Sequence, residues 1–322
     1  MTYSKIVGTG RYLPEKILTN FDLEKMVDTN DEWIRTRTGV ERRHCVAPDQ
    51  TTSDMCVEAA KVAMDDAGIL PTDIDMVVVG TTSPDLIFPN AATLVQHRLG
   101  IPACPCLAME AACTSFIYGL TTADKYIKAG EAKCILVIGA ECITKLVDWS
   151  DRNTCVLFGD GAGAVIVKSS DEPGIIATHL GADGQYKDLL YYPVGASKEL
   201  HKAGTDEASI MMRGNEVFKV AVKTLGNVAT EVLEKAGVSQ DELDWLIPHQ
   251  ANLRIIQATA KRLDLPMEKV IVTVQDHGNS SAASVPMALD VGVRDGRVKK
   301  GQMVLMEAFG GGFTWGSVLM RL

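Results

Sequence analysis

The chain has 322 residues, of which 46% are hydrophobic and 23% charged, and its formal net charge at pH 7 is −9. This size and composition are typical of a soluble globular protein with one large domain or two halves. The acidic balance argues against nucleic acid as the main partner, and no apolar run reaches the roughly 18 residues of a membrane span. The first residues, MTYSKIVGTGRYLP, lack the apolar core of a signal peptide, so we expect a cytoplasmic protein.

The first segment with recognisable chemistry is DEWIRTRTGVERRH at 31–44. It brings Trp33 close in sequence to Arg35, Arg37, Arg42 and Arg43. An aromatic ring beside arginines can stack a base and bind phosphates. The segment suits a ligand with both groups but does not specify one by itself.

Four segments of the first half recur in the same order in the second half. The pairs are AGILPTDIDMVVVG (67–80) with AGVSQDELDWLIPH (236–249), HRLGIP (97–102) with KRLDLP (261–266), EAKCILVIGAE (131–141) with KGQMVLMEAF (300–309), and GDGAGAVIVK (159–168) with GGGFTWGSVLMRL (310–322). Each half therefore runs helix, strand, helix, strand, helix, strand, strand, which indicates an internal duplication. Apolar strands such as MVVVG and CILVIGA predict sheets covered on both faces. We expect an α/β fold with pseudo-symmetric halves at 1–173 and 174–322, joined by KSSDEPG at 168–174.

Cys113 has the most distinctive setting of the eight cysteines. It follows the predicted strand PCLAMEAA and precedes the helix TSFIYGLTTADKYIKAG, which Gly130 ends. An apolar stripe predicts that this helix is buried: Phe116, Leu120, Ala123 and Ile127. At such a helix N-terminus we expect a thiolate that is competent as an acyl-transfer nucleophile. Simple packing is the alternative, because free cysteine often behaves as a small core residue.

The sequence lacks the motifs that mark metal, phosphate-binding, serine-hydrolase and dinucleotide sites. The cysteines are expected to be reduced thiols, and the CPC pair at 104–106 has no partner ligands at zinc spacing, so no metal site is predicted. There is no GxxxxGK or GxSxG motif in the sequence. GTG at 8–10 and GDGAG at 159–163 do not form a dinucleotide fingerprint.

Two polar residues of the second half can join Cys113. His249 closes the strand WLIPH, and Asn279 lies in HGNSSAAS. Counted from Pro102 and Pro266, Cys113 and Asn279 occupy roughly equivalent places, each after an apolar strand and before a helix. A cysteine with a histidine and an asparagine supplies a nucleophile and two N–H donors for a thioester or enolate oxygen. A structural histidine and a helix-capping asparagine are the alternatives.

The helix NLRIIQATAKRL (252–263) combines an apolar face with a cationic one. The apolar face carries Leu253, Ile256, Ala260 and Leu263, and the cationic face carries Arg254, Lys261 and Arg262. In an acidic protein the cationic face suits an acidic or phosphorylated partner, with an ordinary solvated face as the alternative.

Two irregular segments are candidates for the surroundings of the site. The stretch 181–209 is too long for a simple loop, and insertions of this kind usually cover a site. The run Gly310-Gly311-Gly312 follows the strand MVLMEAF and can bring backbone close to the reacting centre, although a plain glycine turn has the same sequence.

Together these motifs resemble the β-ketoacyl-acyl-carrier-protein synthase III family, the initiating condensing enzymes of bacterial type II fatty-acid synthesis. The resemblance extends nearly end to end through GTGRYLP, TNDEWIRTRTGVERRH, AACTSF, DRNTCVLFGDGAGA, GNEVFKVAV, PHQANLRI, HGNSSAAS and EAFGGGFTWGS. It implies a thiolase-like five-layer αβαβα fold, a homodimer, no cofactor, and acyl-CoA and malonyl-acyl-carrier protein as substrates.

The resemblance also implies roles for the three candidate residues. Cys113 takes the acyl group as a thioester, while His249 and Asn279 help malonyl-acyl-carrier protein lose carbon dioxide and stabilise the enolate. The backbone N–H groups of Cys113 and Gly311 form the oxyanion hole, and Phe309 packs beside the nucleophile.

The binding residues are implied in the same way. Coenzyme A contacts map to Thr29, Trp33, Arg37, Arg152, Gly214, Phe218 and Asn252. Carrier-protein docking maps to Arg254, Lys261 and Arg262. Phe88, in IFPNAA, corresponds to a residue that reaches the acyl pocket of the partner subunit.

The sequence departs from the family pattern beside the nucleophile. Ala108 stands where the family commonly has aspartate, Thr114-Ser115 replaces an Ala/Ser-Gly pair, and Glu110 is unusual so close to the cysteine. Because these positions are expected to adjoin the acyl pocket, the alternative is a specialised-metabolism ketosynthase or acyltransferase with another starter or acceptor. The sequence does not specify the starter length.

Overall fold

The computed structural model describes residues 2–205 and 207–322. Its strands are Tyr3–Tyr12 (β1), Lys16–Thr19 (β2), Arg42–Cys45 (β3), Met76–Gly80 (β4), Cys106–Met109 (β5), Cys134–Glu141 (β6), Gly161–Ser170 (β7), Ile175–Ala182 (β8), Leu190–Tyr191 (β9), Met211–Met212 (β10), Trp245–Pro248 (β11), Met303–Gly310 (β12) and Thr314–Arg321 (β13). Its α-helices are Asn20–Leu23 (α1), Asp31–Thr38 (α2), Thr52–Ala67 (α3), Ala91–Arg98 (α4), Ser115–Ala129 (α5), Gly214–Ala236 (α6), Leu253–Arg262 (α7), Val274–His277 (α8) and Ser284–Arg294 (α9). Across those two ranges, no helix has the length and apolar character that crossing a membrane requires.

Two sheets repeat one strand arrangement. The first has the order β1-β7-β6-β4-β5, and the second has the order β8-β13-β12-β11. In the first sheet β4 pairs in parallel with β5 and β6, and in the second β11 pairs in parallel with β12. The remaining pairs, β1 with β7, β6 with β7, β12 with β13 and β8 with β13, are antiparallel. The first sheet ends at Ser170 and the second begins at Ile175, so the connector is shorter than the predicted 168–174.

The second sheet lacks a regular counterpart of β5. The repeat predicts a strand before Asn279, but among the residues described this segment makes one parallel bridge, Leu246 to Val270, and then turns into α8. The buried Gln250 side chain accepts hydrogen bonds from the backbone N–H groups of Thr273 and Val274, at 2.8 and 3.2 Å. These bonds replace the ladder that a strand would have formed, so the predicted strand is wrong there.

The layers follow from the alternation of side chains along each strand. Val78 and Val137 point to one face of the first sheet and pack with α5 and α9, while Val77 and Leu136 pack with α3 and α4 on the other face. The second sheet also packs on α5 and α9, and its outer face carries α6 and α7. The order is therefore α3/α4, sheet, α5/α9, sheet, α6/α7, which confirms the thiolase-like αβαβα prediction.

The helices preceding β4 and β11 end in the same way. Both α3 and α6 stop at a glycine with positive φ, Gly68 at 64° and Gly237 at 65°. The left-handed backbone conformation is strained for a residue with a Cβ atom and is readily adopted by glycine. The predicted helix tails are confirmed, and α5 likewise ends at Gly130.

Candidate active site

A cavity of about 1360 Å³ opens between the two halves. Cys113, His249 and Asn279 all line it, so the three residues that the sequence singles out come together. The segment 181–209 contributes Lys187, Leu190 and Leu200 to the wall, which confirms that this insertion covers a site.

A strained turn presents Cys113. It lies in a 3₁₀ turn, Ala112–Thr114, between β5 and α5, and Ala112 has a φ of 48°. The Glu110 carboxylate accepts the Ala112 N–H at 3.0 Å. The Ser115 hydroxyl accepts the Ala111 N–H at 2.8 Å and donates to the Ala112 carbonyl at 2.7 Å. These bonds stabilise a backbone conformation that a non-glycine residue otherwise avoids.

The Cys113 thiol is protonated at neutral pH. The residue is 7% exposed, and burial raises the pKa of its thiol to about 12, with the nearby Glu141 and Glu110 charges adding to the effect. A hydrogen bond from Ser281 favours the thiolate but does not outweigh burial. Burial therefore opposes the thiolate that the helix N-terminus is expected to favour.

The glycine run packs against the nucleophile. A Cβ at Gly310 would lie 2.6 Å from the Cys113 nitrogen, so only glycine fits there. Gly311 and Phe309 line the cavity beside it. The Phe309 ring lies 4.6 Å from that of Phe313 and forms an aromatic wall. The predicted close approach is confirmed, and Gly310 is the residue that requires it.

His249 is held as a neutral N–H donor. It follows β11, and its Nδ1 lies 2.6 Å from the Ser284 hydroxyl. The same hydroxyl accepts the Gln250 N–H at 3.3 Å, so Ser284 contacts both the His249 ring and the backbone that follows it. Burial lowers the pKa of His249 to about 3, so the ring stays neutral at physiological pH.

Asn279 caps a turn through its side-chain oxygen, which leaves its side-chain NH2 group available to the cavity. Its Oδ1 accepts the Ser281 N–H at 2.9 Å, which agrees with the capping alternative. Its backbone is tied to Leu157 and Gly159 at 2.8 and 3.1 Å. With the oxygen engaged, the Nδ2 hydrogens are the part of the side chain that can serve as donors.

Most of the predicted coenzyme A residues meet at the cavity. Trp33, Arg37, Gly214, Phe218 and Asn252 line it, whereas Thr29 and Arg152 lie outside the lining. The guanidinium carbons of Arg37 and Arg152 lie 5.6 and 5.2 Å from the Trp33 ring centre. The arginines therefore stack on the tryptophan and form a cationic wall.

Asn252 caps the N-terminus of α7, and its side chain accepts the Arg254 N–H at 2.8 Å. Arg254 is exposed and lies 5.3 Å from the Phe218 ring, and Lys261 is exposed. Arg262 packs across Gly226 and donates to Asn227, so α6 holds its side chain.

The apolar face of α7 differs from the predicted one by one residue. Ile256, Ala260 and Leu263 are buried as expected, but Ile255 is buried in place of the half-buried Leu253. The reason is that Ile255 packs in a cluster with Phe218, Phe309 and Phe313 at the cavity.

Phe88 does not line the cavity of its own chain. It is 83% exposed, and its neighbours Ile87 and Leu86 are 66% and 51% exposed. Ile87 lines the cavity, so this apolar tip begins at the site and extends away from it.

The departures from the family pattern have different surroundings. Glu110 lines the cavity. Thr114 and Ser115 are buried behind the turn, where the Thr114 hydroxyl donates to the Thr314 carbonyl at 3.3 Å. Ala108 is exposed on β5. Glu110 is thus the one of the four that lines the cavity, and the expectation is wrong for Ala108, Thr114 and Ser115. The hydroxyls of Thr114 and Ser115 instead form hydrogen bonds with backbone groups.

Sequence reasoning missed several buried polar residues around the trio: Gln250, Ser281, Ser284 and Glu141. The serines are concealed in the small-residue run HGNSSAAS. Glu141 had a visible signal, since a charged residue ends the wholly apolar strand β6. Within the ranges described, no group of three or more histidine, cysteine or acidic residues is arranged to hold a metal ion.

Comparison with known proteins gives one family. The family model for 3-oxoacyl-[acyl-carrier-protein] synthase III matches residues 107–184, and the model for its C-terminal part matches residues 233–322. A β-ketoacyl-[acyl-carrier-protein] synthase III of Xanthomonas campestris is 59% identical over 319 residues, which cover 99% of this chain and 98% of that protein.

Solved structures agree. The 3-oxoacyl-[acyl-carrier-protein] synthase III of Aquifex aeolicus superposes with a TM-score of 0.93 at 48% identity, covering 99% of this chain and 100% of that one. A priming β-ketosynthase of a polyketide biosynthetic pathway gives a TM-score of 0.94 at 36% identity, covering 99% and 96%. The chain therefore belongs to the β-ketoacyl-acyl-carrier-protein synthase III family.

Proposed function

We propose that this protein catalyses the initiating condensation of type II fatty-acid synthesis. An acyl-CoA and malonyl-acyl-carrier protein give 3-oxoacyl-acyl-carrier protein, CoA and carbon dioxide. The observation that carries the proposal is the meeting of Cys113, His249 and Asn279 in one cavity of a chain of this family. The reaction oxidises and reduces nothing overall, so it needs no cofactor.

The first step is acyl transfer to Cys113. Its sulfur attacks the thioester carbonyl of acyl-CoA, a new C–S bond forms, and the CoA thiolate leaves and is protonated. Because the thiol is protonated at rest, its proton must leave as the attack proceeds. The backbone N–H groups of Cys113 and Gly311 serve the developing oxyanion.

The second step is decarboxylation and condensation. The bond from the malonyl carbon to its carboxylate breaks, carbon dioxide leaves, and the electron pair forms an enolate. His249 Nε2–H and Asn279 Nδ2–H donate to the enolate oxygen, and the low pKa of His249 keeps it a donor without proton transfer. The enolate carbon attacks the acyl carbonyl, and the Cys113 thiolate leaves.

The substrate-binding roles follow from the charges around the opening. The wall of Trp33, Arg37 and Arg152 suits the nucleotide and phosphates of coenzyme A, with Thr29, Gly214, Phe218 and Asn252 in the family positions. Arg254, Lys261 and Arg262 suit an acidic carrier protein, and Arg254 supports this assignment because it reaches the cavity lining.

A homodimer in the cytoplasm is part of the proposal. Within the two described ranges, β5 is an edge strand that pairs with β4 alone. An exposed sheet edge beside the apolar tip of Leu86, Ile87 and Phe88 is a suitable surface for a second copy. The tip extends away from its own cavity, which supports a role for Phe88 in the acyl pocket of the partner.

A related ketosynthase or acyltransferase with another starter or acceptor is the second candidate. Glu110 favours it, because a carboxylate in the cavity wall beside Cys113 changes which acyl groups fit. A panel of acyl-CoAs separates the two candidates, since only the preferred starter acylates Cys113 rapidly.

The experiment is mass spectrometry of the Cys113 peptide after incubation with each acyl-CoA, with and without malonyl-acyl-carrier protein. We expect an acyl adduct that disappears, with release of carbon dioxide, when malonyl-acyl-carrier protein is added. An adduct that persists without carbon dioxide release favours the acyltransferase. No adduct with any acyl-CoA contradicts both candidates.

A further inference from the structure

The cavity wall beside the nucleophile carries a carboxylate to which the proposed reaction assigns no step. Glu110 lies three residues before Cys113, lines the cavity and is exposed. Its Oε1 accepts the Ala112 N–H at 3.0 Å, which fixes the carboxylate to the turn that presents Cys113. Because consecutive Cα atoms are about 3.8 Å apart, this oxygen lies within roughly 8 Å of the Cys113 Cα. A negative charge is therefore held beside the atom that receives the acyl group.

The second carboxylate oxygen of Glu110 is available to the cavity. Within residues 2–205 and 207–322 no protein group donates a hydrogen bond to Oε2, and no ion pair neutralises the charge. Asn279 likewise lies two residues before the positive-φ residue of its own turn, and its Oδ1 accepts the Ser281 N–H at 2.9 Å. In that turn the remaining side-chain group is a neutral donor. In the turn of Glu110 it is a charged acceptor.

The charges that line the cavity are unevenly placed. Its four cations come from α2, the 181–209 segment and the starts of α6 and α7: Arg37, Lys187, Arg213 and Arg254. Its acids are Glu110 and Glu216, and Glu216 lies in the first turn of α6. The cations suit the phosphates that every acyl-CoA carries, so they attract all acyl-CoAs alike. Glu110 is the charge beside the acyl end, where acyl-CoAs differ from one another.

The proposed reaction brings two acyl groups of different charge into this cavity. A starter such as acetyl is neutral, whereas the malonyl group carries a carboxylate, and both arrive as thioesters that a thiol can attack. A malonyl group on Cys113 would block the nucleophile. In the proposed condensation His249 and Asn279 hold the malonyl oxygen from the second half, while Glu110 lies on the first half beside the group that Cys113 carries.

We propose that Glu110 sets the charge specificity of acyl transfer, excluding acyl groups with a terminal carboxylate from Cys113 and accepting neutral ones. Two negative charges a few ångströms apart repel strongly where the cavity walls limit solvent, and a neutral acyl group avoids this cost. This inference rests on the proposed role of Cys113 as the acyl acceptor and adds the class of acyl group to it.

The test compares two pairs of thioesters, propionyl-CoA with malonyl-CoA and butyryl-CoA with succinyl-CoA. Within each pair a carboxylate replaces the terminal methyl group. Quenched-flow intact mass gives the second-order rate constant of acylation, and it separates a malonyl adduct from the acetyl adduct that decarboxylation would leave. We expect wild-type protein to prefer the neutral member of each pair. E110Q keeps an oxygen for the Ala112 N–H and removes the charge, so acylation by the anionic member should become about tenfold faster, while the neutral member changes by less than about twofold.

Two further variants separate the charge from the turn. E110A also loses the hydrogen bond to Ala112, so it should slow both members of a pair and keep the ratio of E110Q. E216Q is the matched control, because it removes the other acid of the cavity lining, and it should keep the wild-type ratio. Added salt should lower the wild-type preference toward that of E110Q, since screening weakens the repulsion. A purely structural role would not respond to salt in this way.

Several outcomes would overturn the role of Glu110. One is an E110Q variant in which both members of a pair change by the same factor, and another is an E110Q variant that still accepts no anionic acyl group. An equal change of the ratio in E216Q would assign the effect to the total charge of the cavity. If neither neutral thioester acylates the wild-type protein, the proposed function itself fails, whereas acylation with an unchanged ratio contradicts Glu110 alone.

Discussion

The two turns that precede α5 and α9 have similar backbones and different side-chain chemistry. The first begins its 3₁₀ turn at Ala112 with a φ of 48°, and the second begins at Ser281 with a φ of 49°. In each, the side chain two residues earlier accepts the turn N–H, Glu110 at 3.0 Å and Asn279 at 2.9 Å. The duplication thus preserved a strained turn while its side chains diverged.

This alignment corrects one sequence prediction. Cys113 follows the positive-φ residue of its turn, so its structural counterpart is Ala282 and not Asn279. The counterpart of Asn279 is Glu110. Equivalent positions therefore hold a nucleophile in one half and a small apolar residue in the other, and the site needs both halves.

Moving the thiol is the strongest test of this asymmetry. C113A should abolish acyl-enzyme formation, because no other side chain at this turn carries a nucleophilic sulfur. C113A/A282C places a thiol at the equivalent position of the second junction, where residue 282 is 1% exposed and lies outside the cavity lining. We expect no acyl adduct there by intact mass.

An adduct on the introduced cysteine of C113A/A282C would show that the turn backbone alone makes a nucleophile. C113S serves as the folding control, since its side chain differs by one atom. An acyl adduct on the protein in C113A would contradict the assignment of Cys113 directly.

The serines that follow the two turns give a second, smaller contrast. Ser115 bonds to its own turn, through Ala111 and Ala112, whereas Ser284 holds the His249 ring. S284A should remove the hydrogen bond that orients the His249 ring. Malonyl decarboxylation should slow by up to about 100-fold, while acylation by acyl-CoA persists. S115A should slow acylation instead, since it loosens the turn that carries Cys113.

The measurements are single-turnover acylation and release of labelled carbon dioxide, made on both variants. Equal losses of both steps in S284A would indicate a general packing defect and contradict a specific role in orienting His249. The circular dichroism spectra of both variants should match that of the wild-type protein.

Sequence patterns predicted the parts of the molecule that rest on local chemistry and repetition. The apolar strands, the glycines that end α3, α5 and α6, and the duplicated order of elements all follow from periodicity and backbone preference. Cys113 follows β5 of the first sheet and His249 follows β11 of the second, so their meeting with Asn279 depends on the pseudo-symmetric packing of the two halves.

Other features depend on contacts between residues distant in sequence. The protonated state of Cys113 is set by burial between two halves, which no local pattern reports. The missing strand before α8 is due to one buried glutamine, Gln250. Ser281 and Glu141 are 140 positions apart, so only the fold reveals their hydrogen bond.

Two buried glutamates extend the comparison from the junctions to the sheets. Glu141 ends β6 of the first sheet among hydrogen-bond donors, while Glu307 lies on β12 of the second sheet. Within the described ranges neither carboxyl oxygen of Glu307 has a hydrogen-bond partner, and burial raises its pKa to about 8. Glu307 therefore stays protonated in the folded chain at pH 7, whereas an unfolded glutamate with a pKa near 4.5 ionises.

The smallest predicted effect is the pH dependence of stability that this difference creates. Between about pH 4.5 and 8 the folded state holds the Glu307 proton and the unfolded state releases it, so the contribution of Glu307 to the unfolding free energy falls as pH rises. E307Q cannot ionise, and its stability relative to wild type should grow with pH by on the order of 1 kcal/mol per unit in that window. Urea unfolding at several pH values measures this difference directly. A constant difference across the window would mean that Glu307 is ionised when folded, and the contrast between the two sheets would then be one of hydrogen bonding and not of charge.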